Sequence, residues 1–516
     1  MKYTFIKSFV PAAALLVMVG SSCQKLQDFG DTNTNPLVSE APITAAFLTN
    51  VESQLGGLAT STRPALYVQY ISETQYTETS LYQEPKLDLG GTYSGMLNDL
   101  QVIINKNSSP TTAGGVLGSG SNANQIAVAR ILKAYTFWTV TDRFGDVPYS
   151  EALQGTANLS PAFDKQEDIY KNLLKELTEA VAQFDAGAPV KGDILYSGNG
   201  TQWKKLANSL RMMISMRMSK VFPSAGGLAA TEFAAAATDP NGFIMTNADN
   251  ATVNFPGGGY KNPWFNTYDG RNDFAFSKTI ADILATMGDT RRQAFGGTGT
   301  PFPYGLLRAD ATGSGVPGPA AYSKVLSDSK RMENSPTVIV NAASSLLAHA
   351  EGIERGWTTG NAKASYDAAI TASFDQWGVA GANTVITGAG NYTSGAGGGN
   401  NIGANAFNSV VGQNAITTTP IERIFLQRYL AHYPDGIQGW SEWRRSCDPG
   451  TPSPRTAPAG MPKLAPSAFA INSGAGIPRR YVYGTAEYST NPVQVALAVG
   501  RLSSGDVVFS RVWWDK

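Results

Sequence analysis

The sequence predicts a mostly helical protein built on paired helices with long irregular loops, and three observations carry that expectation. Segments spread along the chain repeat their apolar residues at three and four, the spacing that lines one face of a helix. Those segments have lengths that suit antiparallel pairs of the tetratricopeptide kind. The stretches between them are dense in Gly, Ser, Asn and Pro, which supply turns in place of a continuing period.

The first element is a leader. Lys2 and Lys7 flank the start, an apolar run follows from Phe9 to Val19, and the small residues Gly20, Ser21 and Ser22 stand directly before Cys23. Charged, apolar and small-residue regions in that order make a secretory signal. The apolar run is about half of the roughly twenty residues a spanning helix needs, which argues against a retained transmembrane anchor. Small residues ahead of a single Cys also resemble the bacterial lipobox, in which the thiol is diacylated and the signal removed. Gly20 stands where lipoboxes favour Leu or Val, with Val19 one step further out. Several acyl chains make a durable anchor, each buried methylene contributing about 0.8 kcal/mol. Gln24 to Pro36 is polar and turn-rich and reads as a tether. The expected boundaries are a signal over 1–22, a lipidated tether over 23–40 and a folded body over 41–516.

Within the body, Gln125 to Val140 places Val128, Ile131, Leu132, Tyr135 and Trp138 at helical spacing. Gln166 to Phe184 does the same with Ile169, Leu173, Leu177, Ala180, Val181 and Phe184. Asp164, followed three residues later by Glu167, predicts a capping box at the start of this second helix. Further helices are expected near 203–220, 336–355, 362–377 and 422–433. No clean repeat of about 34 residues is visible, so a regular solenoid array is not expected. Long loops fall at 108–124, 224–272, 296–335 and 388–419, and loops of such length are more often functional or disordered than idle.

Composition removes several function classes. Forty basic and forty acidic residues balance, and charged residues make up 16% of the 516, against about 25% in average soluble proteins. Nothing in that balance offers a surface for nucleic acid. The two cysteines, Cys23 and Cys447, and two histidines, His349 and His432, are too few and too scattered for a zinc centre. The 54 Gly and 52 aromatics (22 Phe, 21 Tyr, 9 Trp) fit a neutral, loop-rich exported protein.

Thr141 to Ala152 reads TDRFGDVPYSEA, and other distinctive segments follow it in order. They include FDKQEDIYKNLLKEL at 163–177, WKKLANSLRMMISMRMS at 203–219, NPWFN at 262–266 and SSLLAHAEGIERGW at 344–357. ITASFDQWGV at 370–379, GWSEWRRS at 439–446, IPRRYVYGTAEYSTNP at 477–492 and the terminal WWD at 513–515 complete the set, with DTNTNP after Cys23. In these the chain resembles the SusD/RagB family of nutrient-binding outer-membrane lipoproteins, in its SusD-like branch. It departs from the family at Cys447 and Asp448, where Gly-Tyr is common, and at His349 in the AHAEG stretch. The resemblance covers essentially the whole mature chain and implies a single helical domain built on tetratricopeptide-like pairs. It also implies an outward-facing, lipid-anchored protein of the outer membrane. Such a protein captures oligosaccharide or peptide, passes it to a TonB-dependent SusC-like transporter, and is not an enzyme.

Three functional classes therefore stand side by side: a nutrient-binding lipoprotein, a carboxylate-based glycoside hydrolase, and a structural lid for the transporter without a ligand of its own. Asp142, Asp146 and Glu151 are the carboxylates a hydrolase reading needs, since glycosidases place two around one bond. Turn chemistry at Gly145 and Pro148 favours a structural loop there instead. No cofactor is expected, although Asp- and Asn-rich loops offer the oxygen ligands that a structural calcium ion takes. The better lead is aromatic, because flat rings stack on sugars or peptide side chains while neighbouring polar groups orient them. Two segments combine both types, giving Tyr76 and Tyr82 in the first and Tyr260, Trp264, Asn266, Tyr268 and Arg271 in the second as ligand-binding candidates. Tyr67 and Tyr70, Trp440 with Trp443 and Arg444, and His349 read as core.

Overall fold

A computed structural model describes residues 43–84, 86–388, 392, 420–446, 464, 467–471 and 476–516. The signal, Cys23, the tether, Cys447 and most of the loop over 388–419 lie outside the described residues. The principal helices are α1 (Thr44–Ala59), α2 (Thr62–Tyr67), α3 (Asn98–Ser108), α4 (Asn122–Phe144), α5 (Gln166–Gln183), α6 (Gly200–Arg217) and α7 (Leu228–Ala237). They continue with α8 (Lys278–Thr286), α9 (Ala342–Glu354), α10 (Ala362–Trp377), α11 (Pro420–Ala431), α12 (Gly436–Arg445) and α13 (Pro492–Gly500). The strands are short: β1 (Ile71–Glu73), β2 (Lys86–Leu87), β3 (Val147–Pro148), β4 (Phe163–Asp164), β5 (Ala251–Val253), β6 (Phe274–Phe276), β7 (Thr337–Val340) and β8 (Val482–Tyr483). They pair only two at a time: β1 with β6, β2 with β8, β3 with β4 and β5 with β7.

From α3 to α7 each helix packs on the next, and α9 packs on α10, on α11 and back on α6. The predicted mostly helical architecture is what the chain adopts, and residues 44–516 cluster as one unit. Helix ends follow local chemistry. Ser121 caps α4 by accepting from the Asn124 N–H, and Asn361 caps α10 by accepting from the Ala364 N–H at 3.0 Å. Gly378, left-handed at φ 63°, closes α10.

Three local expectations need correction, the first being the loop over 224–272, which holds α7 and β5 because Leu228–Ala237 is rich in the helix former Ala. The Asp164–Glu167 capping box does not form: α5 starts one residue after Lys165, whose side chain makes no cap. Asp164 instead accepts from the Tyr149 and Ser150 N–H groups, each at 2.9 Å, and Asp146 accepts from the Gln166 N–H at 2.8 Å. A carboxylate from the preceding turn thus serves the helix start, a partner that local spacing does not reveal. The helix expected from 336 begins only at Ala342, because Thr337–Val340 pairs with β5.

The helices meet around buried charge. Arg445 of α12 donates both terminal nitrogens to Glu351 of α9 at 2.7 Å and also pairs with Glu442. Arg428 of α11 reaches Glu351 at 3.2 Å and Glu442 at 3.1 Å, and Arg355 adds a further bond to Glu351 at 2.7 Å. Burial would raise the Glu351 carboxyl, but Arg445, Arg355 and Arg428 together hold it below its usual range. Arg444 lies 3.7 Å from the Trp440 ring centroid, so the Trp–Arg cluster is core, as its spacing suggested. His349 is held at 3.0 Å by Ser365 and packs on Phe243, but it is half-buried at the helix surface and not in the core as its spacing suggested.

Candidate ligand-binding site

The pairing of β1 with β6 builds the site. The strands run antiparallel with Ile71 opposite Phe276 and Glu73 opposite Phe274. The residues that leave β1 therefore stand beside those that enter β6. Thr74 N–H donates to the Asp273 carbonyl at 2.9 Å and Thr74 Oγ1 donates to the Asn272 carbonyl at 2.6 Å. Gln75 Nε2 then donates to Asp273 Oδ1, and Arg271 pairs with Asp273 Oδ2. Glu73, buried, accepts from the Ser80 N–H and hydroxyl, both at 2.8 Å, which fixes the turn that presents Tyr76. Burial pushes the Glu73 carboxyl up, partly offset by the Ser80 hydrogen bonds.

A third wall comes from the 296–323 loop. It is stitched to β6 by the Phe276 N–H donating to the Ser323 carbonyl at 2.7 Å and by the bridge between Ser277 and Phe302. The result is an open depression of 540 Å³ lined by Gln75, Tyr76, Arg271, Asn272, Asp273 and the Gly318–Ala320 turn. Tyr76 is 44% exposed there, an unusual position for a large ring. Two guanidinium groups lie against it, Arg308 at 4.9 Å and Arg271 at 5.9 Å from its centroid.

The structure sorts the predicted candidates. Tyr76 and Arg271 come together at the depression. Tyr82 does not join them: at φ 64° its side chain turns inward, 1% exposed, and packs edge-on to Tyr67. Its polar sequence context was misleading, since backbone geometry set its direction. Trp264 is likewise core, 1% exposed, because Asn262 caps a helical turn at Pro263–Thr267 by accepting from the Trp264 N–H at 2.8 Å. It lines a separate 320 Å³ cavity with Trp377, His432, Tyr433 and Asp435. Tyr268 is latched, donating to the Phe274 carbonyl at 3.0 Å and accepting from the Val325 N–H at 2.8 Å. Tyr260 donates to the Ser53 carbonyl and packs on Phe255. Asn266 is exposed on the short helical turn and does not line the depression. Gln75 belongs to the first of the two aromatic-rich segments, whereas Arg308 and Asp273 were not singled out in the sequence; Arg308 stood unmarked in a long loop whose length alone hinted at function.

The carboxylates of a hydrolase reading are otherwise engaged. Asp142 is buried, accepts from Trp514 Nε1 at 2.9 Å and from Tyr170, and lies 3.4 Å from Arg217. Asp146 serves α5 and Arg501, and Glu151 accepts from the Ala162 N–H at 3.0 Å. Among the described residues no group of three or more His, Cys, Asp or Glu is placed to hold a metal ion. No described helix is long and apolar enough to cross a membrane.

Comparison with known families decides what this scaffold is. Residues 35–484 match the model of a SusD-like family described as starch-binding and associating with the outer membrane. The chain belongs to the SusD-like family. Solved structures agree on the fold. A chitin-binding protein is 25% identical at a TM-score of 0.70, the match covering 92% of this chain and 99% of that one. A chitin-binding SusD homologue from Flavobacterium johnsoniae is 23% identical at 0.71, covering 92% and 98%. A SusD homologue from Bacteroides uniformis is 22% identical at 0.71, covering 93% and 100%. No curated protein matches the chain. In this SusD-like chain the TDRFGDVPYSEA signature is scaffold: Gly145 at φ 89° ends α4, Val147–Pro148 forms β3, and its acids hold neighbouring elements.

Proposed function

We propose that this SusD-like chain is a cell-surface lipoprotein of the outer membrane that captures oligosaccharide at the Tyr76 depression. It passes the ligand, unaltered, to a TonB-dependent SusC-like transporter. The observation that carries the reading is the exposed Tyr76 ring beside an open depression whose walls are amide, guanidinium and carboxylate groups. A flat ring stacks on the apolar face of a sugar, and convergent polar groups orient its hydroxyls. The family description and the chitin-binding relatives support a glycan as ligand. Cys23 supplies the anchor, several acyl chains holding the chain where one would give marginal binding. The engagement of Asp142, Asp146 and Glu151 within the scaffold supports binding over hydrolysis.

Calorimetry of the mature chain against oligosaccharide pools tests this, with each pool checked afterwards for products. Tyr76→Ala is expected to weaken binding by roughly tenfold, the worth of about 1.4 kcal/mol, with the thermal melt unchanged. Equal binding by the variant removes Tyr76 from the site. Product formation abolished by an Asp or Glu substitution overturns the binding reading. Co-purification of the tagged chain with a large barrel protein tests the transporter.

A further inference from the structure

The depression contains more than a stacking ring. Among the described residues that line it, the charged ones are Arg271 and Asp273. Asp273 is already spent, one oxygen accepting from Gln75 and the other paired with Arg271. Arg308 enters from the 296–323 loop, exposed, with its guanidinium 4.9 Å from the Tyr76 centroid and in no ion pair among the described residues. Two guanidinium groups against one carboxylate leave one positive charge at the ring. Cation–π contacts at exposed sites are worth only about 0.5–1 kcal/mol, so Arg308 is held in place but remains open to a stronger partner.

This placement bears on which sugar fits. A neutral sugar that seeks the Tyr76 face has to compete with two guanidinium groups for it. A sugar carrying a carboxylate or sulfate meets donors already in position, because guanidinium binds such groups through two parallel hydrogen bonds. At the wall, Asn272 Oδ1 is buried without a hydrogen-bond partner, an acceptor for a sugar hydroxyl or amide N–H once the amide turns toward the ligand. Resting on the glycan-binding reading above, we propose that the ligand of the Tyr76 depression is an anionic oligosaccharide, its carboxylate or sulfate held by Arg308 and Arg271.

The test is a glycan array carrying neutral oligosaccharides together with uronate-, sialate- and sulfate-bearing ones. It is probed with the full mature chain and with Tyr76→Ala, Arg308→Ala and Arg308→Lys. Acidic glycans are expected to dominate the bound set, with binding weakening as salt rises from low to high. Arg308→Ala is expected to lower affinity for them by roughly tenfold, and Arg308→Lys to recover only part of it, since an ammonium lacks the planar fork. A bound set of neutral glycans lost with Tyr76→Ala but indifferent to Arg308 overturns the anionic ligand and leaves the glycan reading standing. An array with no bound glycan overturns both. Circular dichroism and melting of each variant establish that lost binding is not lost folding, and Arg308, exposed at the start of the one-turn helix Arg308–Ala311, is a position where the fold is expected to persist.

Discussion

Asp435 offers the sharpest test of the scaffold. It is 7% exposed at the start of α12, where its Oδ1 accepts from the Gln438 N–H at 3.1 Å. Burial pushes its carboxyl up from an ordinary value near 3.8 to about 7, against the lowering influence of the Gln438 and Ile437 N–H groups and of Arg217. The proton is therefore bound more tightly in the folded chain than in the unfolded one. Ionisation begins to cost stability as pH passes the unfolded value, and the cost is complete once pH exceeds the folded value near 7. A shift of roughly three units, at about 1.4 kcal/mol each, makes that cost about 4 kcal/mol. Asp435→Asn keeps a capping oxygen and cannot ionise. At pH 8 the variant is expected to be more stable than the parent by up to about 4 kcal/mol. For a unit of residues 44–516 the unfolding entropy is roughly 1 kcal/mol/K, so the melting temperature rises by about 4 °C. The advantage shrinks as pH falls from 7 and is gone near 3.8. Melts of both chains across that range decide the matter. A difference that is the same at pH 5 and pH 8, or a variant less stable at pH 8, refutes the reasoning.

Further expectations follow from the same contacts. Glu351→Gln removes one of the two carboxylates that the buried Arg445 and Arg428 share, leaving them Glu442 alone, and is expected to cost about 3–5 kcal/mol, read as a lowered melting temperature. Because the Glu351 carboxyl is held low, its contribution is present above the ordinary carboxylate range and lost as pH falls through the folded value, so this penalty fades in acid. Gly436→Ala drives a Cβ into the Ala65 backbone where α12 crosses α2, and is expected to destabilise by about 1–3 kcal/mol in a denaturant titration. Cys23→Ser is expected to abolish incorporation of labelled palmitate and release the chain from the membrane fraction; labelling that persists in the variant removes the anchor from Cys23.

What the sequence made legible was whatever rested on local periodicity. The helix expected over 362–377 is α10, and Trp440 with Arg444 is core, because three-and-four spacing is set by the helix itself. The helix starting after Lys165 was also visible, but the carboxylate that serves its first turn comes from Asp146, across the β3–β4 hairpin. The site was half legible for the same reason. Tyr76 stood out as an aromatic in a polar stretch, and Arg271 as a polar residue in an aromatic-rich segment. Their meeting depends on the β1–β6 register, and Arg308 arrives only because a bridge at Phe302 returns the loop to Ser277. Tyr82 and Trp264 lie away from the depression through backbone facts, a positive φ and an Asn-capped turn, which residue type does not disclose.

The segments that identify the family and those that form the Tyr76 depression are physically separate, and this shapes what substitutions do. Asp142 is tied to Arg217, Tyr170 and Trp514, and Asp146 to Gln166 and Arg501, so the signature joins α4, α5, α6 and the end of the chain. Removing Asp142 strands the buried Arg217, Tyr170 and Trp514, and removing Asp146 strands the Gln166 N–H, so the effect of either belongs to stability. Tyr76, Arg271 and Arg308 stand on connections after β1, before β6 and within the 296–323 loop, where exposed side chains contribute little to folding. A scaffold fixed by buried ion pairs can therefore carry a site whose charge is set by a few loop residues. Likeness in the signature reports the fold, and the proposed ligand class rests instead on the arginines around Tyr76.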